Sequence, residues 1–214
     1  MQQTGTRAVA LFGGVFDPVH NAHLEVARRA HAGLPIARVR FLPSGNPPHK
    51  PAAGMASADQ RLRMLELALA DEPGVTIDDR ELRRAGPSYT VDTLREVAEE
   101  EGAAGTPVTI FFLIGSDNIP FLRKWNRAGE LFALCTPVVI PRPGYPPEFR
   151  PDDLPEGARH RVDELNERVL AGDPLDISSS AVRERIESGA PIADLVPPAV
   201  VAYIEKHRLY RRES

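Results

Sequence analysis

Val9-Ala10-Leu11-Phe12-Gly13-Gly14-Val15-Phe16-Asp17-Pro18-Val19-His20-Asn21-Ala22-His23 is the stretch on which the fold turns. Val9 to Phe12 is a short apolar run that stops at two glycines, and from His20 to Ala32 the residues Leu24, Val26, Ala27 and Ala30 recur at helical spacing. This reads as strand, glycine loop, helix.

The same pattern repeats downstream. Val39 to Leu42 reads as a strand, followed by the Pro/Gly-rich loop Pro43 to Gly54 and a helix from Ser57 to about Ala70, with Ser57 and Gln60 forming a capping-box signature. A strand at Val75 to Ile77, a helix from Thr90, a buried strand at Val108 to Ile114 and a fifth strand at Thr136 to Ile140 continue the alternation. Such alternation predicts an α/β fold built on a single Rossmann-like, doubly wound parallel sheet. Pro141 to Pro155 holds six of the 21 prolines without apolar periodicity and reads as a surface connection, mobile or covering a site. Two C-terminal helices follow, about Ser180 to Ser188 and Pro198 to His207, within a helical part that starts near residue 156. The expectation is one compact domain over residues 1–214.

Bulk properties narrow the function. The chain has 42% hydrophobic and 26% charged residues, a globular balance. Its net charge of −4 provides no global field for nucleic acid or an anionic membrane, so an anionic ligand needs a local basic site. The lone Cys135 excludes an internal disulfide and a multi-thiolate zinc site. The start Met1 to Gly5 lacks an apolar signal region, and the longest apolar run, near Ile110 to Ile114, is far short of the ~20 residues of a membrane span. A cytoplasmic protein is the expectation; a homo-oligomer is compatible with everything in the sequence.

The chemistry centres on the first loop, which lies where ligands bind in open α/β sheets, outside the carboxyl end of a strand. Gly13 and Gly14 leave backbone N–H groups free to approach a phosphate, and the following helix N-terminus adds partial positive charge. His20 and His23, three apart, share one face of the first helical turn and can converge on one anion. Taken alone, the glycines also fit a plain tight turn, and the histidines fit a metal pair or two surface side chains. Ser178, Ser179, Ser180 and Arg183 sit at a helix start, where hydroxyls, free N–H groups and a guanidinium can gather round phosphate; plain N-capping explains the serines equally. Lys50 in its proline-rich loop fits a solvated charge, and Trp125, the one tryptophan, fits a packing residue.

The string Gly13 to His23 resembles the signature G-G-T-F-D-P-x-H-x-G-H of the HxGH nucleotidyltransferase superfamily, in the form used by bacterial nicotinate-mononucleotide adenylyltransferases. The resemblance continues in order through Pro43 to Lys50, Ser88 to Leu94, Ile114-Gly115-Ser116-Asp117, Trp125 and Ile177 to Arg183. Three positions depart from the pattern: Val15 for threonine, Ala22 for glycine, and Ser44 for a frequent asparagine.

The resemblance implies that the adenylyl group of ATP passes to nicotinate mononucleotide, giving nicotinate adenine dinucleotide and pyrophosphate. It implies catalytic roles for His20, His23, Lys50 and Arg183, with ATP bound by Gly13, Gly14, Val15, Phe16, His20, His23, Ile177, Ser178, Ser180 and Arg183. Asp17, Ser44, Lys50, Tyr89, Thr90, Gly115, Asp117 and Trp125 would meet the nicotinate nucleotide, with Trp125 stacked on the pyridine ring. No residue is implied as a metal ligand; Mg2+ would arrive on the triphosphate, which supplies most of its ligands. The nearest rival keeps the reaction and changes the acceptor, for instance to phosphopantetheine, and a noncatalytic nucleotide sensor is a second. The absence of G-x-G-x-x-G and of any Gly-Lys dipeptide speaks against a dinucleotide-dependent oxidoreductase and a P-loop enzyme.

Overall fold

A computed structural model describes residues 7–45, 55–103 and 107–211. In chain order the elements are β1 (Arg7–Gly14), α1 (Asn21–Gly33), β2 (Val39–Pro43), α2 (Ala58–Leu69), β3 (Val75–Ile77), the single turn α3 (Arg80–Arg83), α4 (Thr90–Gly102) and β4 (Val108–Gly115). A 3-10 segment (Ser116–Lys124), α5 (Ala128–Leu134), β5 (Thr136–Ile140), two further 3-10 segments (Pro151–Asp153 and Glu156–Arg161), α6 (Val162–Asn166), α7 (Ser179–Glu187) and α8 (Pro198–His207) complete it.

The five strands form one parallel sheet in the order β3-β2-β1-β4-β5. Side chains of a strand alternate between faces, and here both faces are covered, so β1 and β4 read as continuous apolar runs. Ala10, Phe12, Phe111 and Leu113 join one core with α1, α2 and α8. Val9, Leu11, Ile110, Phe112 and Ile114 join the other, against α4, α5 and residues after β5. The chain leaves β1 toward β2 on one side and crosses back to β4 on the other. The crevice between the carboxyl ends of β1 and β4 is therefore the topological switch point.

The five expected strands and the two C-terminal helices are present, and the Ser57 capping box forms as read, with Ser57 Oγ accepting from Gln60 N at 3.2 Å and Gln60 Oε1 accepting from Ser57 N at 2.9 Å. One expectation needs correction. The Pro141 to Pro155 stretch is more than a surface connection, because Phe149 and Leu154 are buried in the second core. Two apolar residues separated by Pro151 and three charged residues have no period for a pattern search to detect.

Candidate active site

Three adjoining cavities follow the carboxyl edge of the sheet. The central one, of about 310 Å³, lies at the switch point between the ends of β1 and β4, with Arg142, Ser179 and Arg183 on its rim. A second, of about 170 Å³, opens on the β2 side and is walled by Leu42, Leu94, Phe112 and Trp125 with Ser44, Glu81 and Thr90. The third lies between His20, His23, Arg142 and the start of α7. Their combined shape suits an elongated ligand with an apolar end and an anionic middle.

Gly14 is closely packed: a β-carbon there would stand 3.0 Å from the Phe16 ring. Phe16 itself has φ of 50°, in the left-handed region that bulky residues seldom occupy. Its ring is buried against Phe12, Phe41 and His23, so it meets the cavity chiefly through its backbone. Val15 lines the central and second cavities.

His20 caps α1 and His23 occupies its third helical position, with His20 N donating to His23 Nδ1 at 3.2 Å. The two rings stack with centroids 3.7 Å apart. Burial, helped by the positive charge of Arg142, pushes the His20 pKa down to about 3. Burial also pulls His23 well below its ordinary value, with His20 and Arg142 adding to the effect. At neutral pH both imidazoles are uncharged and offer an anion N–H donors, and the positive charge of the site comes from elsewhere.

At the head of α7, Ser178 accepts from Ala181 N, Ser179 Oγ donates to Pro18 O at 2.9 Å, and Ser180 Oγ accepts from Arg183 Nη2 at 3.2 Å. The capping reading holds for Ser178, and Ser179 ties α7 to the glycine loop. Arg183 Nη1 donates to Asp17 O at 2.6 Å while the residue still lines the central cavity. Ile177 lies beside the serines in the third cavity.

Asp17 is 2% exposed, and its carboxylate accepts from Ala56 N at 3.1 Å and from the Tyr210 hydroxyl at 2.7 Å. It braces the loop from behind. Ser44, Thr90 and Trp125 line the second cavity, Gly115 and Asp117 the central one. Tyr89 is the cap residue of α4 and is exposed, lining none of the three cavities; Thr90 is the first helical residue. Lys50 lies outside the described residues, so it is not placed relative to the cavities.

Four residues of the site escape a reading of the sequence. Buried Arg61 donates to the carbonyls of Val15, Ser44 and Gly45, joining α2 to the loops after β1 and β2. Glu81 is buried in the wall of the second cavity, where burial raises its pKa and Thr93 Oγ1 donates to it at 2.7 Å. Arg142 and Tyr210 are the others. None of the four belongs to a motif that marks it as a site residue, and pairing in space is the only signal. Among the described residues no group of three or more His, Cys, Asp or Glu side chains could hold a metal ion.

The cytidylyltransferase-like family model matches residues 11–185. Probable nicotinate-nucleotide adenylyltransferases of Chromobacterium violaceum and Laribacter hongkongensis are 41% and 42% identical to the chain, covering 95% and 97% of it and 98% and 96% of their own lengths. The structure of Plasmodium falciparum nicotinic acid mononucleotide adenylyltransferase complexed with NaAD superimposes with a TM-score of 0.72 at 20% identity, over 95% of this chain and 97% of that one. That likeness speaks for the fold.

Proposed function

The chain belongs to the bacterial-type nicotinate-nucleotide adenylyltransferases of the cytidylyltransferase-like superfamily, and on that premise we propose that it transfers the adenylyl group of ATP to nicotinate mononucleotide. The products are nicotinate adenine dinucleotide and pyrophosphate. The observation that carries the reading is the meeting, at Gly13 to Val15, of a cavity walled by Leu42, Leu94 and Trp125 with a central one lined by Arg142 and Arg183.

An acceptor phosphate, with its second ionisation near pH 6, is already mostly dianionic at neutral pH, so no general base is needed. One of its oxygens attacks the α-phosphorus of ATP, and the bond from that phosphorus to the oxygen bridging the β-phosphate breaks. The electron pair leaves with pyrophosphate. The protein's task is to hold two anions in line and stabilise the charge that builds on the transferring and leaving groups.

In this reading the backbone of Gly13 to Phe16, the His20 and His23 N–H groups, Arg183 and the start of α7 hold the triphosphate. Lys50 is proposed to join them. Trp125 stacks on the pyridine ring, with Phe112 meeting the indole edge-on at 6.2 Å; Ser44, Tyr89, Thr90, Gly115 and Asp117 surround the acceptor, and Asp17 acts by bracing the loop. Magnesium enters as part of the MgATP substrate and screens phosphate charge. Phosphate oxygens and water would supply most of the ligands such an ion needs.

The test is pyrophosphate release from MgATP with nicotinate mononucleotide, nicotinamide mononucleotide or phosphopantetheine as acceptor. Strong turnover with the first, lost in His20→Ala, is the expected result. Turnover with phosphopantetheine alone would change the acceptor, and none with any would leave a nucleotide sensor.

A further inference from the structure

Arg142 stands at the wall shared by the central cavity and the cavity beside His20 and His23. Its backbone is fixed. Arg142 N donates to the buried Ser116 Oγ at 3.0 Å, that hydroxyl donates to Tyr145 O at 3.0 Å, and Tyr145 N closes the turn on Arg142 O at 3.2 Å. Pro143 and Gly144, the latter with φ of 78°, occupy the central positions, as a type II turn requires. The turn follows directly on β5, so the arginine projects from a rigid element.

The side chain, by contrast, is uncommitted. Among the described residues it pairs with no carboxylate and has no hydrogen-bond partner, although Arg183 across the cavity is engaged with Asp17 O and Ser180 Oγ. Room is kept for it: a β-carbon on Gly115 would lie 3.3 Å from Arg142 Nε and 2.2 Å from Asp117 Oδ1. The stacked imidazoles it faces are uncharged in the free protein, so among the described residues Arg142 is the unpaired cation of the crevice.

We propose that Arg142 is a further catalytic residue, whose guanidinium binds the phosphate chain of ATP where the α-phosphate is transferred and pyrophosphate leaves. The inference rests on the adenylyl-transfer reading. A planar guanidinium can hold two phosphate oxygens at once, and its charge is permanent, which two buried imidazoles cannot offer. As the acceptor's oxygen bonds to the α-phosphorus and the electron pair departs with pyrophosphate, no proton moves. A fixed cation beside the leaving oxygens is the form of help such a step can use.

The experiment compares wild type, Arg142→Lys and Arg142→Gln. It measures kcat and KM for each substrate, binding of α,β-methylene ATP without acceptor, binding of nicotinate mononucleotide alone, and thermal stability. With no partner to lose among the described residues, Arg142→Gln should melt within about 2 °C of wild type and lose about 10²–10³ in kcat, with weaker analogue binding and unchanged acceptor binding. Arg142→Lys should recover part of the rate. A glutamine variant within about threefold of wild type in both kcat and analogue affinity would overturn the proposal, as would a loss confined to acceptor binding. Should the glutamine variant melt early, the lysine variant decides on the same criteria. Wild type that binds the analogue through Arg142 yet turns over no nicotinate mononucleotide would refute the acceptor assignment and leave this site standing.

Discussion

His20 and His23 fold as neutral imidazoles in a protein whose unfolded chain would protonate them below about pH 6.5. The folded pKa lies below the unfolded one, so the unfolded state binds more protons as the solution is acidified. The stability is fully present above about pH 6.5 and drains away between there and about 3, the folded value for His20. Each such group costs on the order of 1 kcal/mol per pH unit in that window. Urea unfolding at pH 6.5 and 5.5 should show His20→Asn losing about 1 kcal/mol less than wild type; equal losses would mean the imidazole is charged in the fold. That the two histidines converge was legible from their spacing. That they are neutral was not, because their charge state depends on burial and on Arg142, which is 119 positions from His23 in the chain. An arginine between prolines looks locally like any solvated arginine.

Among the elements, those with a complete local signature were readable: the Ser57 helix with its reciprocal cap, the strands on both faces of the sheet, the helix begun by Pro198. The 3-10 segment after β4 contains Pro120, and α5 starts from Arg127 in a left-handed conformation without a side-chain cap, so neither announces itself. The least legible contribution is that of the chain's end. Leu195 O accepts from Asn21 N at 2.8 Å, Val200 and Ile204 of α8 pack in the core shared with α1 and α2, and Tyr210 then reaches Asp17 under the glycine loop. Burial and the neighbouring carboxylate raise the tyrosine pKa, keeping it a hydrogen-bond donor. Tyr210→Phe leaves Asp17 Oδ1 with Ala56 N and no hydroxyl, at a cost of about 1–3 kcal/mol. Urea midpoints measure it. A phenylalanine variant as stable as wild type would mean that the tail merely rests against the loop.

For the molecule as a whole, the sheet order sets where the two substrates meet. Because the chain reverses its winding between β1 and β4, the loops after these strands diverge, and a crevice opens with α4 and the tryptophan on one side and α7 on the other. On the proposed assignment the acceptor enters the tryptophan side and ATP the α7 side, the two sharing Gly13 to Val15 and differing in Ser44 and Thr90 on one side and Ser179 and Arg183 on the other. The two Michaelis constants should then separate. Trp125→Ala removes one face of an apolar slot, worth about 1 kcal/mol by ring stacking, and should raise KM for nicotinate mononucleotide several-fold with KM for ATP unchanged. Arg183→Gln should do the reverse, beyond its effect on kcat. The chain's one tryptophan gives an independent signal: nicotinate mononucleotide should quench its fluorescence, whereas an ATP analogue alone should leave it nearly constant. Equal quenching by both, or a Trp125→Ala variant that raises both constants together, would mean that the cavities exchange ligands and that the switch point does not sort them.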